Sequence, residues 1–349
     1  MKKHKICKIL LVILAIFLCV AFYELLGICV AYKKQPEVSN TTKKETKNGS
    51  WNECSENTER AVIIEKNPEA LLQRVRLIKN AKKEIILSTF AFQSDESGKL
   101  ILGALHDAAD RGVHIRLLVD GMESWIDMEG NPYFYGLSSH ENVEIKLYNK
   151  ANPLKPWKMM GRMHDKYLIA DGKRYILGGR NTYNYFLGDF PGHKNYDRDV
   201  LVVCDEPEKE NSVNQLSEYF ETIWEQEDSG YFHDNKKLAN RKSVKNAVLE
   251  LQNGYQKYFE ENKERICDTD YTDETFETEK IALVSNPIHT GSKEPVVWYQ
   301  LGELMKNAKN RVKIHTPYII CNDMMYNTWE EIAENVSDFS IMTNSVANN

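Results

Sequence analysis

The chain has 349 residues, 42% hydrophobic and 28% charged, the balance of a globular protein with room for about two domains. A formal net charge of −6 and a pI near 5.9 argue against nucleic acid as the main partner, because phosphate binding wants a basic face. The seven cysteines contain no C-x-x-C pair, so a zinc site is unsupported and no metal is expected.

In chain order, residues 1–8 are a basic N-terminus with Lys2, Lys3, Lys5 and Lys8. Residues 9–32 are apolar apart from Glu24. As a helix they would span about 36 Å against roughly 30 Å of hydrocarbon. No small-x-small cleavage signature follows, so the segment reads as an uncleaved transmembrane anchor. The lysines ahead of it favour a single-pass protein of the cell membrane, N-terminus in the cytoplasm and the rest of the chain outside. Lys33, Lys34, Lys43 and Lys44 on the far side weaken that asymmetry. Residues 33–60 are polar and read as a flexible tether.

Residues 61–262 read as a first domain. A helix is expected from Asn67-Pro68 to about Ala81, with Ala70, Leu71, Val75 and Ile78 on its apolar side. Strands are expected over 84–92, 113–120, 143–148 and 200–204, and helices over 100–111, 212–225 and 243–265. Strand and helix in alternation predict an α/β fold with a mixed sheet flanked by helices. His114 reads as a structural, half-buried histidine. Residues 121–139 and 149–160 read as loops, and the second carries Lys150, Lys155, Trp157 and Lys158, a composition suited to lipid headgroups. Val244, Val248, Leu251, Tyr255 and Phe259 recur at spacings of three and four, as core-facing positions do. Residues 263–280 contain six acids and no base between Asp268 and Glu279, and read as an exposed acidic linker.

The stretch with chemistry in it is Arg162 to Asn181, RMHDKYLIADGKRYILGGRN. His164, Lys166 and Asp171 have the spacing H-x-K-x4-D. The run between reads as a hairpin over an Asp171-Gly172 turn. Side chains two apart on a strand share a face, so His164 and Lys166 should stand together with Asp165 opposite. That pairs a candidate nucleophile with a fixed cation for an anionic oxygen. Gly178 and Gly179 would let the backbone approach a ligand closely, ahead of Asn181. A lone H-x-K would be an ordinary exposed hairpin; the Asp, the Gly pair and the Asn together favour a site.

This stretch resembles the HKD motif of the phospholipase D superfamily, with its downstream Gly-Gly-x-Asn. It is most similar to bacterial cardiolipin synthases, in which Arg-Met-His precedes the Lys and Gly-Gly-Arg-Asn follows. The resemblance implies a phospholipase D-like sandwich and a phosphatidyltransferase or phospholipase D acting through a phosphohistidine. His164, Lys166 and Asp171 would be the catalytic motif, His164 the nucleophile and Asp171 more a structural group than a base. Lys166, Asn181, Gly178 and Gly179 would form the phosphate site. An acidic residue before the 200–204 strand would orient the histidine, Asp197 first and Asp199 second. No cofactor is implied, because lysines supply the positive charge. The partner would be a phospholipid membrane, with no nucleic acid.

Leu77–Thr89 also resembles Leu304–Thr316, 227 residues later, and Ile115–Val119 has a partner in Phe339–Thr343. Residues 281–349 therefore read as the start of a second phospholipase D-like domain, truncated before a second H-x-K-x4-D. Family chemistry uses two such motifs, so the resemblance implies that this chain alone is weak or inactive and needs a second motif-bearing half. The alternatives are a nuclease of the same superfamily and a non-catalytic remnant or binding module.

Overall fold

The computed structural model describes residues 2–49, 59–204, 211–233 and 235–345. The chain divides into two units, residues 1–33 with 54–283 and residues 34–53 with 284–349.

The first unit opens with α1 (Lys2–Tyr32), of which Lys8–Tyr32 is long and apolar enough to cross a membrane. α2 (Asn40–Asn48) belongs to the second unit. The first unit continues through β1 (Glu59–Ile64), α3 (Asn67–Asn80), β2 (Glu84–Thr89), α4 (Glu96–Asp110), β3 (His114–Asp120), α5 (Gly121–Asp127), α6 (Pro132–Ser138) and β4 (Val143–Tyr148). It is completed by β5 (Tyr167–Ala170), β6 (Arg174–Gly178), β7 (Asp199–Cys204), α7 (Ser212–Trp224), β8 (Ser229–Tyr231), α8 (Lys242–Glu261), α9 (Lys263–Cys267) and β9 (Phe276–Glu277).

Among the described residues these strands form one nine-stranded sheet in the order β8-β4-β3-β2-β5-β6-β7-β1-β9. β2, β3 and β4 run parallel, and β5, β6, β7 and β1 continue antiparallel. The sheet is mixed because helical crossovers join its first three strands while the 171–172 turn joins β5 to β6. Period-two alternation assigns the faces. Ile85, Leu87, Ile115, Leu117, Leu168 and Ile176 point into the main core with residues of α3, α4, α6 and α8. Arg116 and Lys146 point the other way, onto Phe220 and Trp224 of α7. On α8, Val244, Leu251, Tyr255 and Phe259 are buried in that core.

Several sequence expectations are corrected. Residues 121–139 are not a loop: α5 starts where Asp120 caps the Met122 amide, and α6 starts at Pro132 with Asn131 capping Tyr133. The sheet begins at Glu59 with β1, which escaped notice because it pairs with β7, about 140 residues away. The 268–279 segment is exposed at most positions, as expected, but it is docked through buried Tyr271 and Thr275 rather than loose. Buried Arg76 donates to the Asp268 and Asp270 carbonyls at 2.8 Å and to Glu274 at 2.9 Å, and stacks on Tyr271. The 33–60 segment is not a plain tether, since Ser39 caps α2 and Glu294 accepts from Thr42 Oγ1 at 2.6 Å. Its residues 50–58 lie outside the described residues.

The second unit also contains α10 (Val296–Lys306), β10 (Arg311–His315), α11 (Asp323–Asn335) and β11 (Asp338–Met342). β10 and β11 are parallel, as β2 and β3 are, and Val312 faces Phe339 where Ile85 faces Ile115. Pro68 and Pro295 stand at the same 227-residue offset, and so do the helix caps Asp95 and Asn322. The duplication read from the sequence is thus a repeated α-β-α-β frame.

Candidate active site

The β5–β6 hairpin positions the motif. Lys166 precedes β5, yet its carbonyl accepts from the Gly178 amide at 3.2 Å, which prolongs the pairing by one residue. This leaves His164 and Lys166 on one side of an extended segment and Asp165 on the other, where it accepts from Tyr219 of α7 at 2.7 Å. The Lys166 ammonium lies 2.9 Å from His164 Nδ1 and 2.7 Å from the His164 carbonyl oxygen. An ammonium only donates, so Nδ1 accepts and Nε2 carries the imidazole proton in this arrangement.

His164 is exposed at its edge, and its ring lies 4.5 Å from that of Phe90. Desolvation and then the Lys166 charge hold its pKa below the usual imidazole value, against a smaller pull from Asp120. Lys166 is buried, and desolvation pushes it down to about 8 although Asp165 and Asp197 favour its charge. At neutral pH the pair is therefore a neutral imidazole beside a cation. Asn181 is buried, and its Oδ1 accepts from the Ala91 amide at 3.2 Å, which fixes it next to Phe90.

Asp171 is elsewhere. It takes the left-handed conformation at the hairpin turn, φ 55°, and its carboxylate accepts from the amides of Lys82, Lys83 and Glu84 at 2.7–3.2 Å. The length of β5 separates it from His164, so its place in the motif is structural: it ties the turn to the start of β2.

Asp199 is corrected as well. Its carboxylate is fully buried between Arg74 at 2.9 Å and Arg180 at 3.2 Å, which leaves it no part in orienting His164. Asp197 is exposed and bonds the Arg198 amide at 2.7 Å; its charge reaches Lys166. The glycine pair has a different reason from the expected one. A Cβ on Gly178 would overlap Asp199, and a Cβ on Gly179 would overlap the Asp197 carboxylate. The glycines admit the two aspartates and the strand between them, not a ligand directly.

Three supports were missed. Arg180 is buried and donates to Asn67 Oδ1 and to the carbonyls of Ile64, Glu65 and Asp197, so it gathers the ends of β1, α3 and β7 behind the site. Arg162 grips the buried Asp120 carboxylate, which also accepts from the Met163 amide at 3.1 Å. A carboxylate at the C-terminal end of a parallel strand, just before Gly121, was the available signal for that pair. Phe90 had none, because its contact with His164 exists only once β2 and β5 pair.

A family model described as the cardiolipin synthase, PLD-like domain matches residues 74–224. The chain is similar to an uncharacterized protein of Helicobacter pylori (strain ATCC 700392 / 26695), 28% identical over 315 residues, 82% of this chain and 59% of that protein. It is similar to cardiolipin synthase C of Escherichia coli (strain K12), 29% identical over 171 residues, 45% of this chain and 34% of that one. The chain spans 59% of the length of the Helicobacter relative. Phosphatidylserine synthase of Haemophilus influenzae Rd KW20 shares the fold, with a TM-score of 0.56 at 16% identity over 87% of this chain and 66% of that one. The matched stretch, residues 74–224, lies inside the described sheet and its helices and is phospholipase D-like, of the cardiolipin synthase type.

Proposed function

We propose that the chain is a membrane-anchored phosphatidyltransferase or phospholipase D that acts on phospholipid phosphodiesters, with His164 as the nucleophile. The observation that carries this reading is the neutral imidazole held 2.9 Å from a buried ammonium, with Asn181 alongside. The likeness to cardiolipin synthase C and the apolar α1 support a lipid substrate. Lys166 and Asn181 bind the phosphate oxygens. The phosphate draws Lys166 off Nδ1, the imidazole proton moves to that nitrogen, and Nε2 attacks phosphorus. The P–O bond to the leaving alcohol breaks, and that oxygen takes its proton from an acid on a second motif-bearing half. An acceptor alcohol then gives its proton back to that second-half group as it attacks phosphorus, the P–N bond breaks and His164 is regenerated. Lys166 aids the rate only as far as its hold on the oxygens tightens in the transition state. The domain lies outside the cytoplasm on a single span.

The test uses the full chain in phosphatidylglycerol vesicles, alone and mixed with a second motif-bearing half, with DNA as the competing substrate. With the second half present, phosphatidyl transfer and an acid-labile phosphohistidine are expected, and His164→Ala should lower both at least about 100-fold. Cleavage of DNA in place of lipid, or unchanged transfer by His164→Ala, would refute the assignment.

A further inference from the structure

We infer that an exposed apolar rim beside His164, formed by the 149–160 loop and α5, is a bilayer contact, and that the last turns of α1 seat it there. The rim carries Leu154, which is 78% exposed, with Trp157 and Met160, and on α5 the exposed Trp125 and Ile126. Side chains of this kind standing out together are abnormal on a surface that meets only water.

The rim is rigid. Asn149 Nδ2 donates to the carbonyls of Lys158 and Gly161 at 2.7 and 2.9 Å, which closes the loop on itself. Arg162 reaches the Asn149 carbonyl at 3.1 Å while holding Asp120, the residue that caps α5. A Cβ on Gly121 would strike the Lys150 backbone, so α5 starts against the base of the loop. One ion pair, Arg162–Asp120, thus fastens both parts of the rim two residues from His164.

Continuity with α1 says what covers it. The Tyr23 hydroxyl donates to the Leu154 carbonyl at 3.0 Å, and Gly27 lies so close to Pro156 that a Cβ there would meet Pro156 Cγ at 2.5 Å. From Phe22 on, the half-covered residues of α1 are Glu24, Gly27, Ile28, Ala31 and Tyr32, which share one face, whereas Phe22, Leu25, Leu26 and Val30 are exposed. The one acid of the span therefore faces the domain and the aliphatic side faces lipid. Tyr23 is nine residues from the end of α1, about 13 Å along the axis. Centred in roughly 30 Å of hydrocarbon, an apolar run of about 36 Å puts Tyr23 roughly 10 Å below the outer boundary, among the acyl chains, and Gly27, beside Pro156, only about 4 Å below it. Leu154 enters there, Trp157 sits at the interface its ring prefers, and Lys155 meets anionic headgroups. His164 then opens at the lipid surface, and its substrate arrives from the plane of the membrane; this last clause rests on the proposed function, while the contact itself does not.

The experiment reconstitutes the full chain in vesicles of phosphatidylcholine and phosphatidylglycerol with acyl chains brominated near the headgroup, and reads tryptophan quenching. Trp157→Phe and Trp125→Phe should each remove roughly half of the quenchable fluorescence, and Gly27→Leu, which forces α1 off the loop, should lower it about two-fold. Unchanged quenching in both tryptophan variants would overturn the inference. A second arm, run with the second motif-bearing half added, tests Leu154→Asp: transfer should fall about tenfold on vesicles and stay unchanged on short-chain lipid dispersed as monomers. An equal fall on both would also overturn it, whereas normal quenching without any transfer would count against the proposed chemistry alone.

Discussion

The α3-β2-α4-β3 segment of the first unit and the α10-β10-α11-β11 segment of the second follow one sequence pattern, yet only the first is buried. β2 pairs on both edges, with β3 and β5, and five of its six residues are buried. Among the described residues β10 pairs with β11 alone, and one of its five residues is buried. Local sequence makes the strand in both places; the neighbour makes the core. The neighbour that matters is the β5–β6 hairpin, which covers the free edge of β2 and carries His164 and Lys166 as it does so.

The largest expected effect breaks what the first unit has in addition. Asp199→Ala would leave Arg74 and Arg180 as buried, uncompensated cations and should cost the first unit about 3–5 kcal/mol. The exposed Lys313–Asp338 pair at 3.8 Å in the second unit offers the contrast, and Lys313→Ala should cost about 0–1 kcal/mol. Hydrogen exchange read separately over β7 and β11 measures both. Equal protection losses in the two units would dissolve the contrast.

A matched pair of substitutions sharpens it. Leu87 and Ile314 occupy equivalent positions 227 residues apart, the first buried in the main core and the second half-exposed. Leu87→Ala should cost about 2–5 kcal/mol, because a cavity opens among packed neighbours. Ile314→Ala should cost less than about 1 kcal/mol, since there is little packing around it to lose. Exchange protection of β2 and β10 is again the readout, and a large loss in β10 would mean that its exposed edge is covered in solution.

Titration addresses the site, which has no equivalent among the described residues of the second unit: His315 stands where Ser88 does, not where His164 does. In the proposed mechanism His164 attacks as a neutral imidazole, and burial holds its pKa low, so the acid limb of the rate profile should lie below the ordinary imidazole value of about 6.5. In the same mechanism Lys166 holds the phosphate as a cation, and burial lowers its pKa to about 8, so the rate should fall about tenfold per pH unit above that point. Lys166→Arg, charged throughout, should remove the alkaline fall while lowering the plateau, because a planar guanidinium does not fit the ammonium's place. A profile still flat at pH 10 in the parent chain would place Lys166 outside the site.

The alternation of elements, the hairpin over Asp171-Gly172 and the repeat were legible because each is written within a few dozen residues. The H-x-K pair was legible for the same reason, since two residues apart on extended backbone share a face. Asp199 was misread because sequence places it before a strand without saying which way its carboxylate turns; two arginines from α3 and from the end of β6 decide that. The glycine pair was assigned to a ligand because a close approach by β7 cannot be seen from the glycines themselves. The docking of the exposed 268–279 segment was hidden because its partner, Arg76, lies nearly 200 residues earlier. What stayed hidden is long-range pairing of charge, and what showed is local periodicity.

The smallest expected effect is the most discriminating, because the two residues are equivalent and begin with the same job. Asp95 caps α4 by accepting from the Gly98 amide at 3.0 Å, and Asn322 caps α11 by accepting from the Met325 amide at 3.0 Å. Removing either cap costs about 1 kcal/mol by itself. Asp95 has a second duty that Asn322 lacks a structure for: its other oxygen accepts from the Asn184 amide at 2.7 Å, three residues beyond Asn181. Asn322→Ala should therefore fray α11 by about 1 kcal/mol and change nothing at the site. Asp95→Ala should cost closer to 2 kcal/mol and loosen the Asn181–Asn184 turn, seen as a raised KM for the phospholipid with kcat little changed. Asp95→Asn keeps one acceptor oxygen, enough for the Gly98 amide, and turns a donor towards the Asn184 amide, so it should recover helix protection but not KM. Recovery of KM as well would mean that the site does not use the Asp95–Asn184 bond.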